Sequence, residues 1–233
     1  MCTMRNLDIC YLPLQWRAIP AEQLRASACT VIDVIRATST IVTALAHGAG
    51  VQAVASLDEA FALKTKFPGS ILAGERGGQA LPGFDLGNSP EDFTTERVQG
   101  RRVILTTTNG TQALAACAGA RAVFTASFLN LDAVAVRLRE LGPPWIIICA
   151  GCDGEFGVDD AIMAGALAEA LDEDHPMVSL YHSVRRDILG ALLDCNAGQE
   201  LRKVGLEKDI PFCAQRNLFS IVPTMGADGV LRG

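Results

Sequence analysis

An aspartate and an arginine stand three residues apart in Val31-Ile32-Asp33-Val34-Ile35-Arg36-Ala37-Thr38-Ser39-Thr40. The carboxylate could hold a hard cation or move a proton, and the guanidinium could clamp an anion. A plainer alternative is open: a strand-end aspartate satisfied by loop amides, with Arg36 as its ion-pair partner. Gly74-Glu75-Arg76-Gly77-Gly78, followed by Pro82-Gly83-Phe84-Asp85-Leu86-Gly87-Asn88-Ser89-Pro90, adds more groups of this kind. Glu75 and Asp85 could ligate a metal or act as bases, Arg76 could clamp an anion, and Asn88 could donate as a neutral group. Such a long loop in an α/β chain is usually functional, and the alternative is an Ω-loop whose polar side chains satisfy turn amides.

Two further stretches have the same character. Thr106-Thr107-Thr108-Asn109-Gly110-Thr111 falls where a strand should meet a helix, a place whose free amides attract phosphate. Ordinary capping would use the same hydroxyls. Cys149-Ala150-Gly151-Cys152-Asp153-Gly154-Glu155-Phe156-Gly157-Val158-Asp159-Asp160 has Cys-x-x-Cys spacing, but no second Cys or His pair lies at ligand spacing for zinc. Its carboxylates Glu155, Asp159 and Asp160 matter more. Asp160 could face the same crevice as Asp33, or both aspartates of the pair could simply complement a helix dipole.

These stretches need elements to position them. The apolar run from Ala28 reads as a buried strand, and Ile41, Val42, Leu45 and Ala46 continue as a helix, with Thr38, Ser39 and Thr40 offering cap oxygens. Further strands are expected at Leu7–Leu12, Val51–Ala55, Ile71–Ala73, Arg102–Thr106, Val123–Ala126 and Trp145–Ala150, and a last one at Ser220–Pro223. Helices are expected after Ser56, whose spacing to Glu59 makes a capping box, and after Asn109. Others should span Asn130–Leu141 and about Asp159–Leu171, with a helical run from Pro176 in which Asn196 to Gln199 is a capping box. Strand and helix alternate at short intervals, which predicts a mainly parallel sheet with helices on both faces. The loops above then share the carboxyl edge of that sheet, where α/β folds bind ligands. With no linker, repeat or low-complexity tract, residues 1–233 read as one compact domain.

The totals narrow the function. The chain is 49% hydrophobic and 20% charged over 233 residues, with a net charge of −6. That balance argues against nucleic acid or an anionic membrane as the main partner, so attraction for an anionic substrate must be local. Met1 to Asp8 does not read as a signal peptide, and no apolar stretch is long enough to span a bilayer. The eight cysteines then read as reduced thiols of a cytoplasmic protein. A P-loop is excluded because no Gly-x-x-x-x-Gly-Lys-Ser/Thr occurs. Cys29 lies one residue too far from Arg36 for a thiol-phosphatase cradle, and Asp33 does not open an Asp-x-Asp motif. Carboxylates, arginines and amides in one crevice would suit Mg²⁺ and a multiply charged small anion. A homodimer is left open as the assembly.

Asp33-Val-Ile-Arg-Ala-Thr-Ser-Thr, Gly74-Glu-Arg-Gly-Gly, Gly83-Phe-Asp-Leu-Gly-Asn-Ser-Pro90 and Thr108-Asn-Gly-Thr111 together resemble the 2-phosphosulfolactate phosphatase family. The Cys149-Ala-Gly segment, Asp160-Ala161 and the tail Gly205-Leu206-Glu207-Lys208-Asp209-Ile210 fit the same resemblance, which spans nearly the whole chain. It implies a three-layer α/β/α fold with a mixed, mostly parallel sheet. It also implies a Mg²⁺-dependent phosphatase that makes 3-sulfolactate, a step toward coenzyme M. Cys152 and Val158 depart from the pattern, which has small hydroxyl residues there.

The expected mechanism follows. Mg²⁺ sits on Asp33, Glu75 or Asp160, and Arg36, Arg76, Asn88 and the Thr108-Asn109-Gly110-Thr111 stretch bind the substrate. Asp33 and Arg36 take part in catalysis, and Asp85 or Glu155 orients the attacking water. Two rivals use the same groups: a Mg²⁺-dependent lyase or aldolase on a phosphorylated or sulfonated acid, and a non-catalytic sensor of an anionic metabolite.

Overall fold

The structure, a computed structural model, describes residues 6–233. The first five residues of the Met1–Asp8 reading, and Cys2, lie outside the described residues. Among the described residues ten strands form one sheet: β1 (Leu7–Cys10), β2 (Ala28–Ile32), β3 (Gly50–Ala53), β4 (Ile71–Arg76), β5 (Gln79–Ala80), β6 (Arg102–Thr106), β7 (Ala122–Ala126), β8 (Trp145–Cys149), β9 (Thr224–Met225) and β10 (Val230–Arg232). Their order is β1-β8-β2-β7-β9-β10-β3-β6-β4-β5. Pairing is parallel within β1-β8-β2-β7 and within β3-β6-β4. The antiparallel pair β9–β10 joins these two parallel groups, and β5 closes the far edge against β4. The sheet is therefore mixed and mostly parallel, in an α/β/α arrangement.

Alternation along the strands assigns the layers. Val103 and Leu105 of β6 join Cys29, Val31, Ile146 and Ile148 in one cluster, under Ile41 and Leu45 of the helix Ala37–Ala46 and Leu114 of the helix Gly110–Ala116. Ile104, between them, points to the other face and packs on Ala60 of the helix Leu57–Lys66. Ala28, Ile32, Ile147 and Cys149 face a third cluster with the helices Leu131–Leu141 and Val158–Ala170.

The helix Ala37–Ala46 is buried at nearly every position although it carries four hydroxyl residues. Each hydroxyl is satisfied: Thr38 Oγ1 donates to Asp33 O, Ser39 Oγ to Val34 O, Thr40 Oγ1 to Asn88 O and Thr43 Oγ1 to Ser39 O. These bonds bolt the Asp33–Arg36 turn and the Asn88 loop to one helix.

Several local expectations are corrected. β1 stops at Cys10, and Pro13 opens a short helix, Pro13–Arg17, because proline suits a first helical turn. Residues 220–223 form no strand; the chain pairs only at β9 and β10. Part of the Gly-rich loop is the β4–β5 hairpin, with Glu75 opposite Ala80. Gly74 lets this strand approach its neighbour, since a Cβ there would stand 2.1 Å from Thr106 O. The helix Asn196–Lys203 is capped by Cys195, whose Sγ accepts from Gly198 N, and not by Asn196.

Candidate active site

The carboxyl ends of β2, β4, β6 and β8 open into a cleft of about 110 Å³. Asp33 and Arg36 come from the turn after β2, Glu75 from β4, Asn88 from the loop after β5, and Thr108 and Asn109 from the loop after β6. Cys152 and Asp153 reach it from the loop after β8. Its far wall is helical: Ala197, Glu200 and Leu201 of Asn196–Lys203, with Val204 just beyond.

Asp33 is 7% exposed. Its Oδ1 accepts from Ala37 N at 3.1 Å, and the Gly110 amide also faces the carboxylate. Capping of the helix Ala37–Ala46 thus falls to Asp33, whereas Thr38, Ser39 and Thr40 turn their hydroxyls back onto carbonyls. Burial pushes the Asp33 carboxyl up to about 7; the Ala37 amide opposes this, and the charges of Asp159 and Glu75 add to it. Gly110 has to be glycine here, because a Cβ would stand 2.6 Å from Asp33 Oδ2.

Arg36 is also buried and does not face its sequence neighbour. Its Nη1 donates to Asp209 Oδ2 at 2.6 Å and to Ser89 Oγ at 3.2 Å, and Nη2 donates to Gly78 O at 2.5 Å. Ser89 Oγ donates to the same Asp209 oxygen at 2.7 Å. These contacts use three of the five guanidinium N–H groups, and Arg36 lines the cleft. Asp209, absent from the sequence-based set, is 1% exposed and ties the C-terminal helical segment to the sheet edge.

Glu75 and Asp160 mainly brace loops. Glu75 Oε1 accepts from Thr108 N and Oε2 from Gly78 N, both at 2.8 Å. Asp160 Oδ1 accepts from Val34 N at 3.0 Å and Oδ2 from Gly151 N at 2.9 Å, joining the turns after β2 and β8 behind the cleft wall. Burial raises its pKa well above the usual carboxylate range, with Asp159 and Asp33 adding to the effect. Asp159, whose Oδ2 accepts from Ile35 N, is pushed up to about 6, again chiefly by burial.

Other expected residues fall away from the cleft. Asp85 is exposed and folds back to accept from Leu72 N at 2.8 Å and to pair with Lys64. Glu155 is exposed on the turn it forms with Cys152. Arg76 donates to Glu75 O and Thr106 Oγ1 and is off the cleft wall. The amides of Thr107, Thr108, Gly110 and Thr111 are taken inside the protein, so the stretch offers Thr108 and Asn109 to the cleft rather than a row of free donors. Asn88 is 4% exposed, lines the cleft, and has a side-chain Oδ1 without a partner. Burial and Asp153 push the Cys152 thiol up to about 12, which removes it as a thiolate nucleophile.

Among the described residues no three His, Cys, Asp or Glu side chains converge on a ready-made metal cage. Mg²⁺ does not need one, since one or two carboxylates with water and substrate suffice. Asp33, a buried acid beside other acids, with Arg36 of the same turn committed to Asp209, has the chemistry of such a ligand. Glu75 is the second carboxylate that could share it.

The profile of the family described as 2-phosphosulpholactate phosphatase matches residues 15–228. A protein of Synechococcus sp. (strain JA-2-3B'a(2-13)) is 41% identical over 230 positions, covering 90% of this chain and 95% of its own. One from Symbiobacterium thermophilum is 40% identical over 217 positions (88% and 93% covered), and one from Thermotoga petrophila 38% over 213 (88% and 92%). All three carry the name "Probable 2-phosphosulfolactate phosphatase". Among the described residues no helix is long and apolar enough to cross a membrane. The chain belongs to the 2-phosphosulfolactate phosphatase family.

Proposed function

We propose that the cleft hydrolyses a small, multiply anionic phosphate monoester with the help of Mg²⁺, and that the substrate is 2-phosphosulfolactate, giving 3-sulfolactate and phosphate. The observation that carries the reading is Asp33: a buried carboxylate on the cleft wall, surrounded by further acids, without a cationic partner among the described residues. The names of the relatives support the same reaction.

In this reading Asp33 and Glu75 would hold the metal, which when bound would neutralise phosphoryl oxygens as charge shifts between them. Arg36, fixed by Asp209, directs its remaining N–H groups at the phosphoryl oxygens. Asn88 and Asn109 orient the ester with neutral polar groups. Water attacks phosphorus, the bridging P–O bond breaks with its oxygen staying on the substrate carbon, and that oxygen takes up the proton that the attacking water gives up. The carboxylates left on the wall to orient that water are Asp153 and Glu200, since Asp85 and Glu155 lie elsewhere. Catalysis by this site is mainly positioning and electrostatics. The reading carries with it a cytoplasmic enzyme with a small-molecule partner. A screen for phosphate release from small phosphorylated acids, with Mg²⁺ or a chelator, tests it. Mg²⁺-dependent release from 2-phosphosulfolactate is expected, and no release from any member of the panel would overturn it.

A further inference from the structure

Across the wall made by Thr108, Asn109 and Asp153 lies a second cavity of about 310 Å³. Trp16 and Arg17, the end of the helix Pro13–Arg17, form its other side together with Gln112. Arg17 is exposed, yet its direction is set. Its guanidinium lies 4.9 Å from the Trp16 ring centroid, and Nη2 donates to Gln112 Oε1 at 2.8 Å. Gln112 is itself anchored, its Nε2 donating to Thr108 O at 2.9 Å.

All the groups holding Arg17 are neutral. Among the described residues it has no acid within ion-pair distance, and Asp153, the acid on this cavity, also stays beyond that distance. Arg36, the cation of the first cleft, is by contrast already matched by Asp209. A guanidinium oriented by a carboxamide and an aromatic face, with its charge unmatched, is suited to an incoming carboxylate or sulfonate. The first cleft, at about 110 Å³, is also small beside the roughly 300–1,000 Å³ usual for pockets of drug-sized ligands, and Thr108, Asn109 and Asp153 line both spaces.

We propose that Arg17, held by Gln112 over Trp16, recognises the non-reacting carboxylate or sulfonate of the substrate while the phosphate occupies the Asp33 cleft. The assignment rests on the phosphatase reading, and it makes Arg17 a specificity residue rather than a catalytic one. It separates a phosphorylated sulfonic or carboxylic acid from a phosphate ester such as glycerol 2-phosphate, which has no second anion.

Calorimetric titration of the full chain with 3-sulfolactate, which has no phosphate, tests the site directly. Arg17→Ala is expected to weaken binding about tenfold, the scale of one lost charge-assisted contact, and Arg17→Lys less. Inorganic phosphate should bind Arg17→Ala as it binds the wild type. Wild-type protein that ignores 3-sulfolactate, or Arg17→Ala that binds it normally, overturns the proposal, as does an equal loss of phosphate and 3-sulfolactate binding. Turnover separates the two readings. Arg17-dependent binding without phosphate release keeps the subsite and removes the phosphatase. Unchanged kcat/KM for 2-phosphosulfolactate in Arg17→Ala keeps the phosphatase and removes the subsite.

Discussion

Replacing Asp209 by alanine strands a charge. Arg36 is 3% exposed, so its guanidinium would remain buried without its acid. Removing one partner of a buried pair costs about 3–5 kcal/mol, and Ser89, which donates to the same Asp209 oxygen, loses an acceptor for about 1 kcal/mol more. In a chain of this size each kcal/mol moves Tm by about 2–4 °C, so Asp209→Ala should melt about 10 °C or more below wild type. Arg36→Met combined with Asp209→Leu should recover most of that loss, because neither charge is then stranded. Urea unfolding of wild type, both single variants and the double variant, followed by circular dichroism, closes the cycle. Asp209→Ala within about 1 kcal/mol of wild type, or single losses that simply add in the double variant, would refute the reasoning.

Asp33 gives a prediction with a pH sign. Its folded pKa of about 7 lies above the ordinary 3.8, so the folded chain binds the proton more tightly and loses stability as pH rises between those values. Asp33→Asn should therefore melt higher than wild type at pH 8, by a ceiling of about 4 kcal/mol, and gain nothing at pH 4; a lower Tm at pH 8 would contradict this. Added Mg²⁺ at pH 8 should raise the Tm of wild type and leave that of Asp33→Asn unchanged, as scanning calorimetry can show. Asp85→Asn and Glu155→Gln should release phosphate within about twofold of wild type; a loss of several orders of magnitude would put the side chain back in the reaction. Gly110→Ala, with its Cβ 2.6 Å from Asp33 Oδ2 and 2.8 Å from Ala37 Cβ, should lower both turnover and stability, the latter by about 1–3 kcal/mol. A fully active, equally stable Gly110→Ala would show that Asp33 tolerates displacement.

Local pattern made part of this architecture readable. The apolar run ending at Asp33 announces a buried strand, and β2 is Ala28–Ile32 with every residue buried. Arg102–Thr106 is likewise a strand over the expected residues, buried from Val103 onward. β9 and β10 are two and three residues long and carry no period of their own; they form only because existing edges accept them. Arg36 illustrates the limit at the site. An ion-pair partner was one of its two readings, yet the partner is Asp209, 173 residues away, and no spacing in the chain encodes that meeting. Asp85 attracted a functional reading from its Gly-rich surroundings, but the Leu72 amide and Lys64 draw it to the surface. The threonines around Asn109 have the types that bind phosphate and spend most of their donors on one another and on Glu75. The helix Asn196–Lys203 is amphipathic by pattern, whereas its place opposite Asp33 depends on the whole chain.

The most direct test of the account is phosphate release from 2-phosphosulfolactate by wild type and Asp33→Asn, each with Mg²⁺ and with a chelator. The account predicts release by wild type with Mg²⁺ alone, and none by folded Asp33→Asn under either condition. Equal release by both proteins, or release that ignores the chelator, would contradict it.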